Sequence, residues 1–330
     1  MLRPSILIVT PAFADANNGN WQTAQRYARF LSEHYRVALA KQWDGQAADL
    51  MLALHARRSA ASVQAWAEQR PARPLLLVLT GTDLYQDIRS DAAAQASLRS
   101  ASALLVLNEL GLRALPEPLR AKAHICLQSC TTRQTLTAKT PRHLRALMVG
   151  HLRAVKSPQT YFDAAELLAD RADIRLDHIG SALEPALGQA AQALMRRCPS
   201  YRWLGALAHE ATRKRIQSAH LLVHPSRLEG GAHVVIEALC SGTPVLASRV
   251  DGNVGLLGED YLGLFEWADA QGLATLLRQC RADPAMLAAL QTQAAARALL
   301  FHPELEKFRL RAIVADLLNP PTPLHKEPAP

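Results

Sequence analysis

Cysteine is scarce and unpatterned in this chain. The five residues, Cys126, Cys130, Cys198, Cys240 and Cys280, are odd in number and include no Cys-x-x-Cys pair. That argues against the disulfides of a secreted protein and for reduced thiols in a cytoplasmic one. Long hydrophobic runs are also missing, so no membrane span is expected. The apolar core Ile6 to Val9 is too short for a signal peptide and is followed by Pro11. Lysine is rare, with seven residues beside thirty arginines, and nowhere do the two form a basic block. The net charge of +8 and pI near 9.5 are spread along the chain, so nucleic acid and membrane surfaces rank below a small anionic substrate. There is no Gly-x-Gly-x-x-Gly fingerprint at the first strand, which argues against a dinucleotide site. No Asp-x-Asp follows a strand to hold a divalent ion, and no Ser/His/Asp or Cys/His set stands out.

The chain does contain abundant core material. Its 330 residues, 49% hydrophobic and 20% charged, suffice for two domains of ordinary size. Short continuous apolar runs, the pattern of parallel strands buried on both faces, alternate with helical patterns. Runs at Ser5–Thr10, Tyr35–Ala40, Leu50–Leu54, Leu75–Leu79, Ala103–Leu107 and His124–Leu127 make six strands. Helices are expected at Trp21–His34, Ser59–Gln69, Ala92–Ala101 and Leu110–Arg120. The first helix follows Asn17-Asn18-Gly19-Asn20, which supplies turn residues and an N-cap. This predicts a doubly wound sheet over residues 1–130, with ligand positions at the strand C-termini. Those positions hold Asn18, Gly19, His55 and the Thr80–Asp83 turn. Residues 131–143 are polar and aperiodic, and read as a linker. A second alternation fills residues 144–302, with strands from Leu144, Ile174, Tyr201, Leu221, Thr243 and Leu262 and a loop at Asp251–Gly255. A last helix spans Pro303–Leu318, and residues 319–330 read as a disordered tail.

The most informative stretch is His220 to Ala247. It reads as a buried strand, a loop with Glu229-Gly230-Gly231-Ala232, a helix carrying Glu237, the turn Ser241-Gly242-Thr243-Pro244 and a second strand. Glycines at a helix entrance let a ligand approach backbone N–H groups at the positive end of the helix dipole, so an anion is the natural occupant. Glu229 and Glu237 stand eight positions apart, about 12 Å along a helix. That is too far to share a proton as a glycosidase pair does at roughly 5–9.5 Å. They suit the two ends of a long ligand such as a nucleotide-sugar.

This stretch resembles the donor site of the retaining GT-B glycosyltransferases, whose signature is Glu, seven residues, Glu, here Glu229 to Glu237. The resemblance implies two Rossmann-like domains facing a central cleft, with the last helix crossing back to the N-terminal domain. It also implies Glu229 at the donor sugar, Gly230 and Gly231 at the diphosphate or sugar hydroxyls, and Glu237 at the ribose. Gly150-His151-Leu152-Arg153-Ala154-Val155-Lys156-Ser157 matches the family's Gly-Arg-Leu…Lys-Gly segment, where an Arg and a Lys clamp the diphosphate. The match departs at His151 and Ser157, so the partner of Lys156 is either Arg153 or His151. Such cations neutralise a departing diphosphate without a metal, and no cofactor beyond the sugar nucleotide is implied.

Across about residues 4 to 318 the chain also looks like the selenosugar synthases of selenoneine biosynthesis. The resemblance is carried by Ile8-Val9-Thr10-Pro11 through Ala24, Leu76-Leu77-Val78-Leu79-Thr80-Gly81-Thr82-Asp83-Leu84-Tyr85 and Val149-Gly150-His151-Leu152-Arg153 with Lys156-Ser157-Pro158. It implies transfer of glucose or N-acetylglucosamine from UDP-glucose or UDP-GlcNAc to selenophosphate, forming a C–Se bond. Asn18, Arg26, His55, Arg57, Thr82 and Asp83 then fall on the acceptor side, although a strand-end histidine is also an ordinary structural residue and Asp83 an ordinary helix cap. Three other readings stay open on the residues alone. They are a GT-B enzyme with a hydroxyl acceptor, a nucleotide-sugar epimerase or hydrolase, and a basic binding module.

Overall fold

The computed structural model of the protein describes residues 3–11, 19–136 and 138–320. Asn18, with the rest of the predicted N-cap turn before Gly19, lies outside the described residues. The chain forms two compact units. One takes the chain up to Leu107, residues 112–126 and the segment from Glu306 onward; the other takes Asn108–Gly111 and Leu127–Leu305.

The first unit holds strands β1 (Ser5–Val9), β2 (Arg36–Ala40), β3 (Leu50–Leu54), β4 (Leu75–Leu79), β5 (Ala103–Val106) and β6 (Ala123–Ile125). They form one parallel sheet in the order β2-β1-β3-β4-β5-β6. Every residue of β3, β4 and β5 is buried, as expected of central parallel strands covered on both faces. Helix Gly19–Leu31 buries Thr23, Ala24, Tyr27, Phe30 and Leu31. Trp21 and Ala28 of the same helix are only half-buried. The predicted helix Leu110–Arg120 is instead a 3₁₀ turn at Gly111–Ala114 and a short helix at Glu117–Arg120, because Pro116 and Pro118 remove two backbone donors. The final helix, Pro303–Leu318, packs Leu310, Ile313 and Val314 into this unit's core. Its buried Glu306 accepts two hydrogen bonds from Arg26 Nε, at 2.8 and 3.1 Å.

The second unit holds β7 (Leu144–Val149), β8 (Ile174–Ile179), β9 (Tyr201–Trp203), β10 (Leu221–His224), β11 (Val245–Ser248) and β12 (Leu264–Phe265). Its parallel sheet runs β12-β11-β10-β7-β8-β9. The chain starts at the centre with β7, winds outward through β8 and β9, then returns to lay β10 against the free side of β7. The crevice where the winding direction reverses is the usual ligand position of such a sheet. The described residues of the polar segment after Cys130 form no helix or strand and are tied along this unit. Arg133 N–H donates to Cys240 O at 2.8 Å, and Lys139 Nζ to Ala219 O at 2.5 Å. Residues Asp251–Gly255, expected as a loop, lie in the helix Asp251–Leu257. The glycines are there for close contact: a Cβ at Gly252 would lie 1.8 Å from Glu229 O.

Candidate active site

Lys156 and Glu229 are 73 positions apart in sequence, yet Lys156 Nζ donates to Glu229 Oε1 at 2.5 Å. The strand order explains it. β7 and β10 are neighbours, so the loops leaving their C-terminal ends flank the same crevice, and one carries Lys156 while the other carries Glu229. Gly150, directly after β7, leaves room for the Lys156 stem, whose Cγ would sit 3.7 Å from a Cβ there. Gly180 at the end of β8 has φ +153°, and a side chain on it would meet Gly150 O at 2.0 Å. Only glycine lets these two backbones approach so closely.

Glu229 is buried and accepts a second hydrogen bond from His224, whose Nε2 lies 3.0 Å from Oε1. Burial by itself raises a carboxyl pKa, but Lys156 and His224 together outweigh it, so Glu229 is held well below the ordinary carboxylate range. It is therefore an anion at neutral pH, fit to accept hydrogen bonds from sugar hydroxyls or to face a developing positive charge. His151 Nδ1 accepts a hydrogen bond from Ser181 N–H at 3.1 Å. Its pKa is lowered by burial and then by Arg153 and Lys156, so the ring is neutral at pH 7. The Arg153 side chain has no hydrogen-bond or ion-pair partner among the described residues. Of the two candidates for the second cation, only Arg153 carries a permanent charge.

Glu237, equally buried, has its own partners. His209 Nε2 lies 2.6 Å and His233 Nδ1 3.3 Å from its Oε1. Burial raises its pKa, but the hydrogen bonds from His209 and His233 bring it down to about 2. The two glutamates thus share no hydrogen-bond or ion-pair partner. The helix begins only at His233, with Ala232 as its cap, so the interval from Glu229 is not helical throughout. Gly230 and Gly231 lie in a bend before the helix, not in its first turn. Gly230 O accepts a 2.6 Å hydrogen bond from Asn108 Nδ2, which fixes the bend. His224, His209, His233 and Asn108 were not singled out from the sequence. Only His233, four positions before Glu237 on the helix, offered a spacing signal.

Of the candidate residues of the first unit, His55, Arg57, Thr82 and Asp83 cluster at the C-terminal ends of β3 and β4, whereas Gly19 and Arg26 lie on the helix Gly19–Leu31. His55 adopts φ +73°, is 2% exposed and places Nε2 3.2 Å from Thr82 Oγ1. Two carboxylates, Asp83 and Asp87, stand 3.9 Å from its ring nitrogens and favour the protonated form. Burial dominates, and Arg58 and Arg57 add to it, so the His55 pKa is lowered. Asp83 is fully buried and accepts from the backbone amides of Thr80, Gly81 and Ala56 at 2.9, 2.8 and 3.0 Å. It braces two loops and opens the π-helical turn Asp83–Asp87. Arg57 pairs with Asp87 at 3.0 Å, and the charge of Arg26 is met by Glu306. Gly19 is the first residue of its helix and its carbonyl accepts from Thr23 Oγ1 at 2.8 Å.

Two parallel six-stranded sheets with covering helices, one of them reversing beside a Lys–Glu pair, are the α/β fold of the GT-B glycosyltransferases. Residues 135–297 match the family Glycosyl transferases group 1. Among solved structures the chain is similar to sucrose-phosphate synthase of Thermosynechococcus elongatus, with a TM-score of 0.77 at 16% identity over 96% of this chain and 99% of that one. It is also similar to HepE of Anabaena in complex with UDP-glucose, with a TM-score of 0.75 at 16% identity over 95% and 100%. The pneumococcal O-GlcNAc transferase GtfA, in complex with UDP and GlcNAc, gives 0.67 at 15% identity over 82% of this chain and 57% of that chain. Among curated proteins, 166 residues are 30% identical to D-inositol 3-phosphate glycosyltransferase of Streptomyces avermitilis, covering 47% of this chain and 36% of that one. Another 97-residue match is 32% identical to the GDP-mannose-dependent alpha-mannosyltransferase of Corynebacterium glutamicum, over 29% and 22%. The matches thus span between a fifth and about a third of those curated relatives. Among the described residues no helix is long and apolar enough to cross a membrane.

Proposed function

We propose that this protein is a glycosyltransferase that moves glucose or N-acetylglucosamine from a UDP-sugar to selenophosphate. The observation that carries the transferase reading is the contact between Lys156 Nζ and Glu229 Oε1 at the reversal point of the second sheet, inside the segment of the glycosyl transferases group 1 family. Solved relatives in complex with UDP-glucose, or with UDP and GlcNAc, support a UDP-sugar donor. The acceptor rests on the N-terminal and Gly150–Pro158 sequence resemblance.

In this reading the anomeric C–O bond breaks and UDP leaves with the bonding electrons. Lys156 and Arg153 meet the charge growing on the diphosphate, and each such preorganised group contributes roughly 3 kcal/mol to the transition state. The side-chain cations take the place a divalent ion fills elsewhere, so chelation leaves turnover intact. The Glu229 carboxylate accepts hydrogen bonds from the donor sugar and offsets its positive character. Gly150, Gly230, Gly231 and Ala232 give the diphosphate backbone access, and Glu237 reaches the ribose. Selenium forms the new bond to the anomeric carbon, and hydrolysis of the Se–P bond then releases phosphate. A selenium nucleophile already ionised near neutral pH needs little help from a general base. His55 and Thr82 line the acceptor side in this reading. The test is UDP release from UDP-GlcNAc with and without selenophosphate, followed by mass spectrometry for a selenium-bearing sugar. Release that is identical without selenophosphate defeats the acceptor assignment, and hydroxyl acceptors are then the next to screen.

A further inference from the structure

At the opposite edge of the second sheet, the strands begin with a row of cations that the donor site does not use. Arg145 is the second residue of β7 and Arg175 the second of β8, and the parallel register sets them directly beside each other. Arg202 is the second residue of β9, and His143 immediately precedes β7. Together these four side chains line an open recess of about 330 Å³.

Their charges are unequally met. Asp177 is buried and spent on Arg202, which it holds through two hydrogen bonds at 2.9 and 3.0 Å. The nearby Asp173 is taken by Arg171 and Arg281, at 2.9 and 2.8 Å. Arg145 and Arg175 have no carboxylate partner among the described residues. Arg145 Nε is buried with no hydrogen-bond partner at all. Like charges side by side on adjacent strands are destabilising, and a buried guanidinium N–H without an acceptor costs further free energy. An anion in the recess offsets the repulsion between the paired guanidinium groups. His143 senses the same field: its pKa is lowered by burial and then by Arg145, Arg175, Arg202 and Arg281.

We propose that this recess is a second anion site, distinct from the donor crevice, that binds the phosphoryl group of inorganic phosphate or of a small phosphate ester between Arg145 and Arg175. Planar guanidinium forks match phosphoryl oxygens in pairs, and a recess of this size admits a small molecule rather than a strand of polymer. Its position at the strand N-termini, away from Lys156 and Glu229 at the C-termini, separates it from the chemistry of the donor site.

The experiment is calorimetric titration of the full chain with inorganic phosphate and, separately, with glucose 6-phosphate. It is repeated on Arg145→Gln/Arg175→Gln, on Arg175→Gln alone and on Lys156→Ala. Binding should weaken at least tenfold in the double variant and persist unchanged in Lys156→Ala. Equal affinity for the two probes points to free phosphate and tighter binding of the ester to a sugar phosphate, and either supports the site. In the wild type, the His143 ring proton resonance should shift on adding phosphate, a readout confined to the recess that needs no variant. The proposal is overturned if neither probe binds at 10 mM, if the double variant binds like the wild type, or if the His143 resonance stays still while phosphate binds.

Discussion

Replacing Lys156 with Met removes one charge while keeping most of the stem that packs beside Gly150. Glu229 then has only His224 left, at 3.0 Å. Breaking a fully buried ion pair costs about 3–5 kcal/mol. The Lys156 side chain is 27% exposed and Glu229 keeps one partner, so the expected loss of stability is smaller, about 1–3 kcal/mol. That corresponds to a fall of several degrees in Tm for a unit of this size. The catalytic loss is larger. A missing cation at the departing diphosphate costs roughly 3 kcal/mol, or on the order of a hundredfold in kcat. Without Lys156, burial is less well opposed and the Glu229 pKa rises. The variant should therefore gain an acid limb in its pH profile at a pH where the wild type is still flat. The assays are UDP release at saturating donor, UDP titration by calorimetry, and thermal unfolding. A variant with kcat within about threefold of wild type and unchanged affinity for UDP would refute the donor-site reasoning. A lowered Tm alone would mark the pair as merely structural.

Two further predictions follow from the surroundings of the glutamates. Gly252→Ala puts a Cβ 1.8 Å from Glu229 O, so the Glu229 loop must move; stability should fall by about 1–3 kcal/mol and turnover with it, measured by denaturant unfolding and UDP release. A fully active, equally stable variant would show that the Glu229 loop is not held by this contact. His209 has its pKa raised by its hydrogen bond to Glu237, so its contribution is fully present below the ordinary histidine value of 6.5 and fades as pH rises through the raised one. Glu237, with its pKa lowered to about 2, stays ionised throughout that range. The stability gap between wild type and His209→Gln should accordingly be widest near pH 6 and close by pH 9. A gap of constant size would show that the ionic part of the contact contributes nothing.

Much of the architecture was legible before any coordinate. Runs such as Leu50–Leu54 and Leu75–Leu79 are apolar throughout because central parallel strands are covered on both faces. Their bounds agree with expectation to the residue. Where glycine or proline served two purposes, local reading failed. Gly252 and Gly255 look like loop residues, yet they sit in a helix because Glu229 and Asn108 press against them. Lys156 was singled out on the resemblance of its segment and Glu229 and Glu237 on type and spacing, but the histidines that touch the glutamates were not. Their positions in the chain bear no fixed relation to the carboxylates, apart from the helical step between His233 and Glu237.

The linear chain by itself determined the two rounds of strand and helix, the rarity of lysine and the presence of a carboxylate before two glycines. These are local properties, set by side-chain volume, polarity and backbone freedom within a few neighbouring residues. Which loops meet was decided only when the second sheet wound outward from β7 and then returned β10 to its other side. That single reversal joins Lys156 to Glu229 across 73 positions, while the parallel register at the opposite edge sets Arg145 beside Arg175. Contacts of this kind depend on strand order and register, which are settled by the packing of the whole sheet.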